Sequence, residues 1–445
     1  MNLRGLVSIL LLFTIVASAC RTSSRPGLFA RKTPHEQYGK KITDAGLQST
    51  SLGRSWFEAA ETALSRPVSV IKPHRETGFF SAEKPTASGL RFNATRGEKI
   101  QVNVSKKPAG GFKLYLDLWE SDTASASTPK LLASSDTTGI AIEHEVEKSG
   151  TYILRLQPEL LHDCEYTVEI ASVASLAFPI RAPGRNHIKS FWGAARDAGA
   201  RKHEGIDIFA ARGTPVVAAA DGRVTRVNQN NLGGKVVWMR PEKKNYTLYY
   251  AHLDSQLVTD GQQVRVGDTV GLMGNTGNAR TTPPHLHFGI YTFGGAIDPL
   301  PFVNPDYPSA PQIRSDTSVI GDFVRVTART ASLFVAPDSK SSSAVRLQKN
   351  TLLPVEAAMG NWYRVRLPDG TSGYISSAST GKLSPLRTIT PKTDQPLLAA
   401  PDSLAPSKKM LGPGSKVEVL AEFRDYQYVR SESNESGWLP PGSKL

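Results

Sequence analysis

The sequence has few cysteines and few long helical patterns. Only Cys20 and Cys164 are cysteines among its 445 residues, so a zinc finger built on cysteine pairs has no support. The 30 prolines and 37 glycines interrupt the chain, and this composition favours many short strands over helices. The length suggests about three domains. We therefore expect a mainly β, multi-domain protein.

The N-terminal apolar run is too short for a comfortable membrane span. Residues 5–19, GLVSILLLFTIVASA, follow a short basic start and end in small residues. Cys20 comes next, and residues 1–20 resemble a bacterial lipoprotein signal peptide with its lipobox, which implies lipidation of the Cys20 thiol. The alternative is an ordinary secretory signal cut near Ala19. Both predict export, and the first predicts a lipid-anchored membrane protein of the cell envelope, in the periplasm or on the cell surface.

A chain with a net charge of +13 is attracted to polyanions, which include nucleic acid, anionic lipid and anionic cell wall. Because the chain is expected to be exported, we predict no nucleic-acid partner. Two partners remain: the membrane, to which lipidated Cys20 would attach the chain, and the cell wall. Cys164 is expected to be a small packed apolar residue. The sequence does not define the oligomeric state.

The chain divides into segments of different composition. Residues 21–51 are rich in Ser, Thr, Lys, Arg, Gly and Pro, and they predict a flexible tether. Residues 52–178 begin with a short amphipathic helix at 55–65. Alternating strands follow and predict an antiparallel β-sandwich, which resembles the jelly-roll domains attached to secreted bacterial peptidases. The next unit is 179–305, and a Pro- and Ser-rich linker is expected at 306–318.

The C-terminal segment contains an internal repeat. LFVAPD recurs 64 residues later as LLAAPD, and GYI recurs as GWL at the same offset. Both copies, 319–380 and 381–445, resemble small bacterial SH3-like barrels, a resemblance that implies wall binding. Aromatic residues such as Trp362 or Trp438 could line a binding groove. Packing inside the barrel is the alternative, and we expect it for at least one aromatic residue in each copy.

Two histidines separated by one residue, His285 and His287, stand at the start of the apolar run HLHFGIY. Side chains at i and i+2 of a strand point the same way, so both imidazoles are expected on one face. Leu286 and Phe288 then point to the opposite face, which is the expected core. This pattern alone fits two structural histidines as well as it fits a metal site.

The segment KHEGIDIFA supplies further candidate ligands. Gly205 lies between His203 and Asp207 and can take backbone angles closed to other residues, so a turn at 204–205 can bring both side chains to one centre. Histidine nitrogens and a carboxylate oxygen suit zinc, and three protein ligands leave a fourth position open, as in a catalytic site. A further histidine, His252, ends the β-rich run LYYAH.

These segments together resemble the lysostaphin-type zinc endopeptidases of bacterial cell walls. The matching motifs are His203-x-x-x-Asp207, AHL at 251–253 and His285-x-His287, with flanking stretches such as GTPVVAAADGRV and GDTVGLMGNTGNA. The resemblance covers about 180–303 and implies one zinc ion per chain. The implied metal ligands are His203, Asp207 and His287. The implied non-ligating catalytic residues are His252 and His285.

The resemblance implies a β-rich peptidase domain that hydrolyses peptide cross-links of peptidoglycan through a zinc-activated water. One departure is Pro283-Pro284, where the family commonly has Gly-Pro, and it concerns the rim of the cleft. The main alternative is a catalytically silent, peptidoglycan-binding activator of another wall hydrolase, although such relatives typically lack ligands that are present here. A weaker alternative is a zinc peptidase that acts on a secreted protein.

Overall fold

The computed structural model describes residues 32–121, 129–136, 141–181, 184–196 and 199–443. Short strands in several sheets dominate, which confirms the prediction of a mainly β, multi-domain protein. The predicted signal peptide and lipobox at 1–20 lie outside the described residues. Within the described ranges, no helix has both the length and the apolar character that crossing a bilayer requires.

Two helices occupy much of the segment predicted as a tether. They are α1 (Pro34–Asp44) and α2 (Ser51–Ser65). The prediction of a flexible tether over 21–51 is therefore wrong from residue 34 onward. The reason is a capping box: the Thr33 hydroxyl accepts a hydrogen bond from the Glu36 N–H, and the Glu36 carboxylate accepts one from the Thr33 N–H.

Both helices pack on the outside of the sandwich that follows. The Trp56 side chain on α2 is buried, and its indole N–H donates a hydrogen bond to the Pro158 carbonyl at 2.9 Å. The Trp56 ring also stacks on His35 of α1, with ring centroids 4.5 Å apart. This burial stabilises helices that would be marginal alone at their length. The helix predicted at 55–65 is confirmed and begins four residues earlier, at Ser51.

Within its described residues, the sandwich contains nine strands in two sheets. They are β1 (Val68–Ser69), β2 (His74–Phe80), β3 (Ser88–Ala94), β4 (Glu98–Lys107), β5 (Leu114–Ser121), β6 (Lys130–Ser135), β7 (Ala141–Glu145), β8 (Gly150–Pro158) and β9 (Cys164–Ala174). The strand orders β1-β3-β8-β5-β6 and β2-β9-β4-β7 are those of a jelly roll with β1 added at one edge. Inward-facing apolar side chains fill the space between the sheets, and Cys164 is buried among them, as expected.

The central unit is built on one large sheet. Its strands are β10 (Ile188–Ser190), β11 (Ala195–Arg196), β12 (Arg201–Lys202), β13 (Ile206–Phe209), β14 (Pro215–Val217), β15 (Gly222–Asn230), β16 (Gly234–Pro241), β17 (Thr247–Gln256), β18 (Gln263–Val264), β19 (Thr269–Met273), β20 (His285–Thr292) and β21 (Gly295–Ile297), followed by α3 (Leu300–Val303). The main order is β10-β13-β20-β17-β16-β15-β18, and β11 pairs with β12 in a separate two-stranded sheet. One face of the central strands forms the core, which leaves the other face for a site.

The C-terminal strands repeat at the offset that the sequence shows. The first set is β22 (Phe323–Val326), β23 (Thr330–Phe334), β24 (Ser343–Gln348), β25 (Leu352–Met359), β26 (Trp362–Arg366), β27 (Ser372–Ser376) and β28 (Thr380–Lys382). The second is β29 (Arg387–Ile389), β30 (Gln395–Leu398), β31 (Ser407–Leu411), β32 (Val417–Phe423), β33 (Tyr426–Ser431) and β34 (Ser436–Leu439). Trp438 is buried where the two copies meet, in one cluster with Val324 and Tyr363, so it packs rather than lining a groove.

The sandwich and the first SH3-like copy share a sheet. β2 pairs with β25 in antiparallel register, with Thr77 opposite Ala358 and Gly78 opposite Ala357. The ladder therefore runs without interruption from β24 to β7 through both units. The sequence predicts these units as separate domains. Alternation along a strand shows which side chains point to the core, but it does not show which other strand pairs with its edge.

Candidate metal centre and catalytic cleft

The register between β13 and β20 brings the candidate ligands together. Asp207 lies directly opposite His287, and Phe209 lies opposite His285. Leu286 is fully buried on the other face. The alternation inferred from HLHFGIY is therefore the one observed. Because directly paired residues of an antiparallel ladder have neighbouring Cβ atoms, this register alone places a carboxylate against an imidazole.

Three ligand atoms converge at one point. His203 Nε2 lies 3.0 Å from Asp207 Oδ1 and 3.0 Å from His287 Nδ1, and the latter two atoms are 3.1 Å apart. A tetrahedral zinc ion with ligands at about 2.0–2.1 Å separates its ligand atoms by roughly 3.3 Å. The two nitrogens and the oxygen therefore fit one zinc ion, and together they form a candidate metal cluster.

The charge of Asp207 suits a metal ligand. Burial alone would raise the pKa of this carboxyl, but the contacts with the ring nitrogens of His203 and His287 outweigh burial and hold the pKa well below its usual range. Burial also lowers the pKa of His287. An ionised carboxylate is the form in which Asp207 can coordinate a metal.

A second set of contacts orients these ligands. The other ring nitrogen of His203, Nδ1, lies 3.0 Å from the Phe191 carbonyl, which fixes the tautomer that leaves Nε2 for a metal. The Arg196 guanidinium donates to Asp207 Oδ2 at 2.5 Å and to Ser190 Oγ at 2.7 Å. Sequence reasoning missed Arg196, because this residue lies near the site only through the pairing of β11 with β12.

Replacing Arg196 with glutamine is expected to lower zinc affinity about 10- to 100-fold, the range typical of residues that orient a metal ligand. The Asp207 carboxylate keeps its charge in this variant but loses the donor that fixes its rotamer. Titration against a zinc chelator of known affinity measures the change. Arg226→Gln, an exposed residue of β15, is the matched control. Equal affinities in the two variants would show that Arg196 does not orient the ligand.

Gly205 serves the site in a different way from that expected. The prediction assigned it backbone angles closed to other residues, yet its φ lies outside the left-handed region. A Cβ at this position would lie 2.7 Å from Cε1 and 2.8 Å from Nε2 of His287. Gly205 is therefore required because the His287 ring packs directly against the backbone.

His252 reaches the cleft through a local distortion. The residue lies inside β17, which continues to Gln256, so the expectation that it ends the strand is wrong. Its φ of 63° is in the left-handed region, which a side chain larger than glycine adopts only when neighbouring contacts hold it there. Its N–H donates to the Gly233 carbonyl at 2.7 Å, and its Nδ1 lies 2.9 Å from the Thr276 carbonyl.

The second candidate catalytic histidine is held in a similar way. His285 Nδ1 lies 2.9 Å from the Pro283 carbonyl, and the ring stacks on Phe209 at a centroid distance of 4.8 Å. The His252 ring is 4.9 Å from that of His285 and 6.0 Å from that of His287. The structure therefore brings together all five side chains named from the sequence. The first proline of the unusual pair supplies the carbonyl that orients His285.

Burial and the neighbouring rings of His285 and His287 lower the pKa of His252 to about 4. In the metal-free protein, we therefore expect the His252 ring signal to titrate with a midpoint near 4, whereas an exposed histidine titrates near 6.5. NMR of the histidine-labelled protein measures this midpoint, and His252→Ala assigns the signal. A midpoint close to 6.5 would contradict the buried, neutral imidazole that the structure shows.

The metal cluster lies at the floor of a cleft with a cavity volume of about 740 Å³. Within the described ranges, all residues that line this cleft fall between 189 and 291, so neither the sandwich nor the SH3-like copies cover it. One wall carries aromatic rings, with Trp238 and Tyr249 at a centroid distance of 4.2 Å and Tyr291 beside them.

Comparison with known proteins gives two family matches. Residues 201–299 match peptidase family M23, and residues 327–381 match the bacterial SH3 domain. The peptidoglycan DD-endopeptidase ShyC of Vibrio cholerae is 41% identical over 88 residues, 20% of this chain and 20% of that protein. The L-Ala--D-Glu endopeptidase of Bacillus subtilis is 36% identical over 137 residues, 28% of this chain and 42% of that protein.

A third relative has another role. The murein hydrolase activator NlpD of Salmonella dublin is 32% identical over 136 residues, 30% of this chain and 34% of that protein. The chain thus spans between 20% and 42% of the length of these three curated relatives. Residues 201–299 are a peptidase family M23 domain of the lysostaphin type, and residues 327–381 are a bacterial SH3 domain.

Proposed function

We propose that this chain is a zinc metalloendopeptidase of the cell envelope that hydrolyses peptide cross-links of peptidoglycan. The observation that carries the proposal is the convergence of His203, Asp207 and His287 beside two non-ligating histidines in an open cleft. One of the relatives is a peptidoglycan DD-endopeptidase by name, and another is an L-Ala--D-Glu endopeptidase. A zinc ion held by these three residues supplies Lewis-acid chemistry, lowering the pKa of water and polarising a carbonyl.

The other two histidines are proposed to move protons. Both His252 and His285 place Nδ1 against a backbone carbonyl, so the neutral ring carries its proton there and leaves Nε2 as an acceptor. Either ring is therefore prepared to take a proton from the attacking water. Once protonated at Nε2, that ring becomes a donor, which the departing amine requires.

The remaining segments are proposed to hold the enzyme at its substrate. Cys20 would carry the lipid anchor, and residues up to 31 would connect it to α1. The SH3 domain at 327–381 and its structural copy would bind the wall. The basic net charge adds attraction to anionic wall polymers. The domain limits 52–178, 179–305, 319–380 and 381–445 remain predictions.

The proposal is tested by incubating zinc-loaded protein with purified peptidoglycan and identifying the new peptide termini by mass spectrometry. We expect soluble fragments with one new amine and one new carboxylate per cut, and no release by His285→Ala at equal zinc content. Intact, zinc-loaded protein that releases no fragments would overturn the proposal.

The similarity to NlpD supports a second candidate function, a catalytically silent activator of another wall hydrolase. An activator works through surface contacts, so its effect would survive replacement of His203 or Asp207 by alanine. The presence of all five polar site residues favours the enzyme. Adding wild-type or His203→Ala protein to a second, purified wall hydrolase separates the two functions, because only an activator raises the rate of that hydrolase in both forms.

A further inference from the structure

The charges in the cleft are distributed unevenly. Four lysine and arginine residues of the described ranges line it, and all lie between 189 and 202: Lys189, Arg196, Arg201 and Lys202. The opposite wall, with its aromatic rings, carries no lysine or arginine among the described lining residues. Among the described lining residues, the acidic ones are Asp207, a proposed ligand, and Glu204. One side of the cleft is therefore basic.

A β-bulge directs the Lys189 side chain toward the basic side of the cleft. Ile188 pairs with Ile208 and Ser190 pairs with Asp207, so β10 advances by two residues where β13 advances by one. Lys189 is the extra residue. Bulges of this kind redirect a side chain and are frequent next to active sites. Both Lys189 and Ser190 can therefore line the cleft, although alternation in a regular strand would send one of them away.

The neighbouring two-stranded sheet adds charge of the same sign. Arg196 lies directly opposite Arg201, and Lys202 lies opposite Ala195. Like charges directly opposite each other destabilise a strand pair, which argues for a role beyond folding. Arg196 already forms an ion pair with Asp207. Lys189 and Lys202 are exposed and form no ion pair with any described residue.

We propose that Lys189 and Lys202 of this basic wall bind a free carboxylate of the peptide substrate, next to the bond that is cut. The inference rests on the proposed function and adds a substrate class to it. Ser190, the neighbour of Lys189, pairs with the ligand Asp207, so the basic wall begins one residue from the metal centre. A peptide whose carboxylate is amidated should bind this site more weakly.

The test compares two forms of purified, phosphate-free peptidoglycan, one native and one with its carboxylates converted to carboxamides. Wild-type protein is expected to cut the native form about tenfold faster, because the amidated form loses charge-assisted contacts that are individually weak at an exposed site. The double variant Lys189→Gln/Lys202→Gln is expected to lose this preference, because it cuts the native form more slowly. The control Arg226→Gln/Arg265→Gln removes equal charge from exposed positions outside the cleft.

Sedimentation with insoluble peptidoglycan gives a readout that does not depend on catalysis. In a His285→Ala background, the cleft variant should bind native peptidoglycan several-fold more weakly, and the control variant should not. Equal cutting and equal binding of native and amidated peptidoglycan by the wild type would overturn the inference. Zinc-loaded protein that cuts neither form but prefers the native one in sedimentation would overturn the proposed hydrolysis and leave the carboxylate site supported.

Discussion

Replacing His203 by alanine will remove bound zinc and wall cutting together, whereas replacing His285 by alanine will remove cutting and leave zinc bound. The ring nitrogens of His203 and His285 have different neighbours. His203 Nε2 is one of three ligand atoms about 3 Å apart, and His285 Nδ1 donates to a backbone carbonyl outside that set. Loss of a positioned proton carrier costs about 10²–10⁴ in rate.

Elemental analysis after gel filtration measures the zinc, and fragment release from peptidoglycan measures the rate. His162→Ala, a histidine of the sandwich that stacks on Phe112, is the control and should change neither. Asp207→Asn should resemble His203→Ala, because the amide lacks the negative charge. A His203→Ala protein that still carries one zinc ion per chain would contradict the assignment of the ligands.

Replacing Arg364 by alanine is expected to destabilise the folded chain by about 3–5 kcal/mol, the cost of leaving a buried charge unpaired. Glu76 on β2 is fully buried, and its Oε2 accepts hydrogen bonds from Arg364 Nη1 at 2.7 Å and His74 Nε2 at 3.0 Å. The Tyr166 hydroxyl donates to its Oε1 at 3.0 Å. Arg364 lies on β26, so this pair joins the sandwich to the SH3 domain.

Urea denaturation of the full chain measures this loss, and Arg366→Ala is the matched control. Arg366 lies on the same strand but pairs at the surface with Glu356, so its removal should cost about 1 kcal/mol or less. The double variant Glu76→Gln/Arg364→Met should recover part of the loss, because no unpaired charge remains. An Arg364→Ala protein as stable as Arg366→Ala would contradict the importance of the buried pair.

The same pair predicts a pH dependence. Burial alone would raise the pKa of Glu76, but Arg364 and the hydrogen bonds lower it to about 2. In the unfolded chain, a glutamate titrates near 4.3. Because the folded-state pKa is the lower one, the contribution of Glu76 to stability is complete above about pH 4.3 and is lost as the pH falls toward 2.

Short-range patterns predicted the site well. The alternation of HLHFGIY assigned His285 and His287 to one face, and the spacing of His203 and Asp207 suggested that they meet. These features depend on residues close in sequence, where strand geometry leaves few choices. Arg196 and the bulge at Lys189 depend on which strands pair and in which register. A single sequence does not carry that information, because the pairing depends on contacts distant along the chain.

Long-range arrangement was predicted less well for the same reason. The first helix was assigned to a tether, since a polar composition hides a helix whose stability comes from packing on another element. The union of β2 with β25 was missed because edge-to-edge pairing leaves no periodic signal. The 64-residue repeat was visible in the sequence because both copies use the same positions for core residues.

Because the sheet is shared, the segment that matches a sequence family and the segment that folds as one unit differ in this chain. Sequence families treat the SH3 domain as a separable module at 327–381. Cutting the gene before that module would leave β2 as an open strand edge and Glu76 without its arginine, a combination that promotes aggregation. Transfer of this SH3 domain to another chain would likewise leave β25 without the strand edge, and Arg364 without the carboxylate, that they meet here.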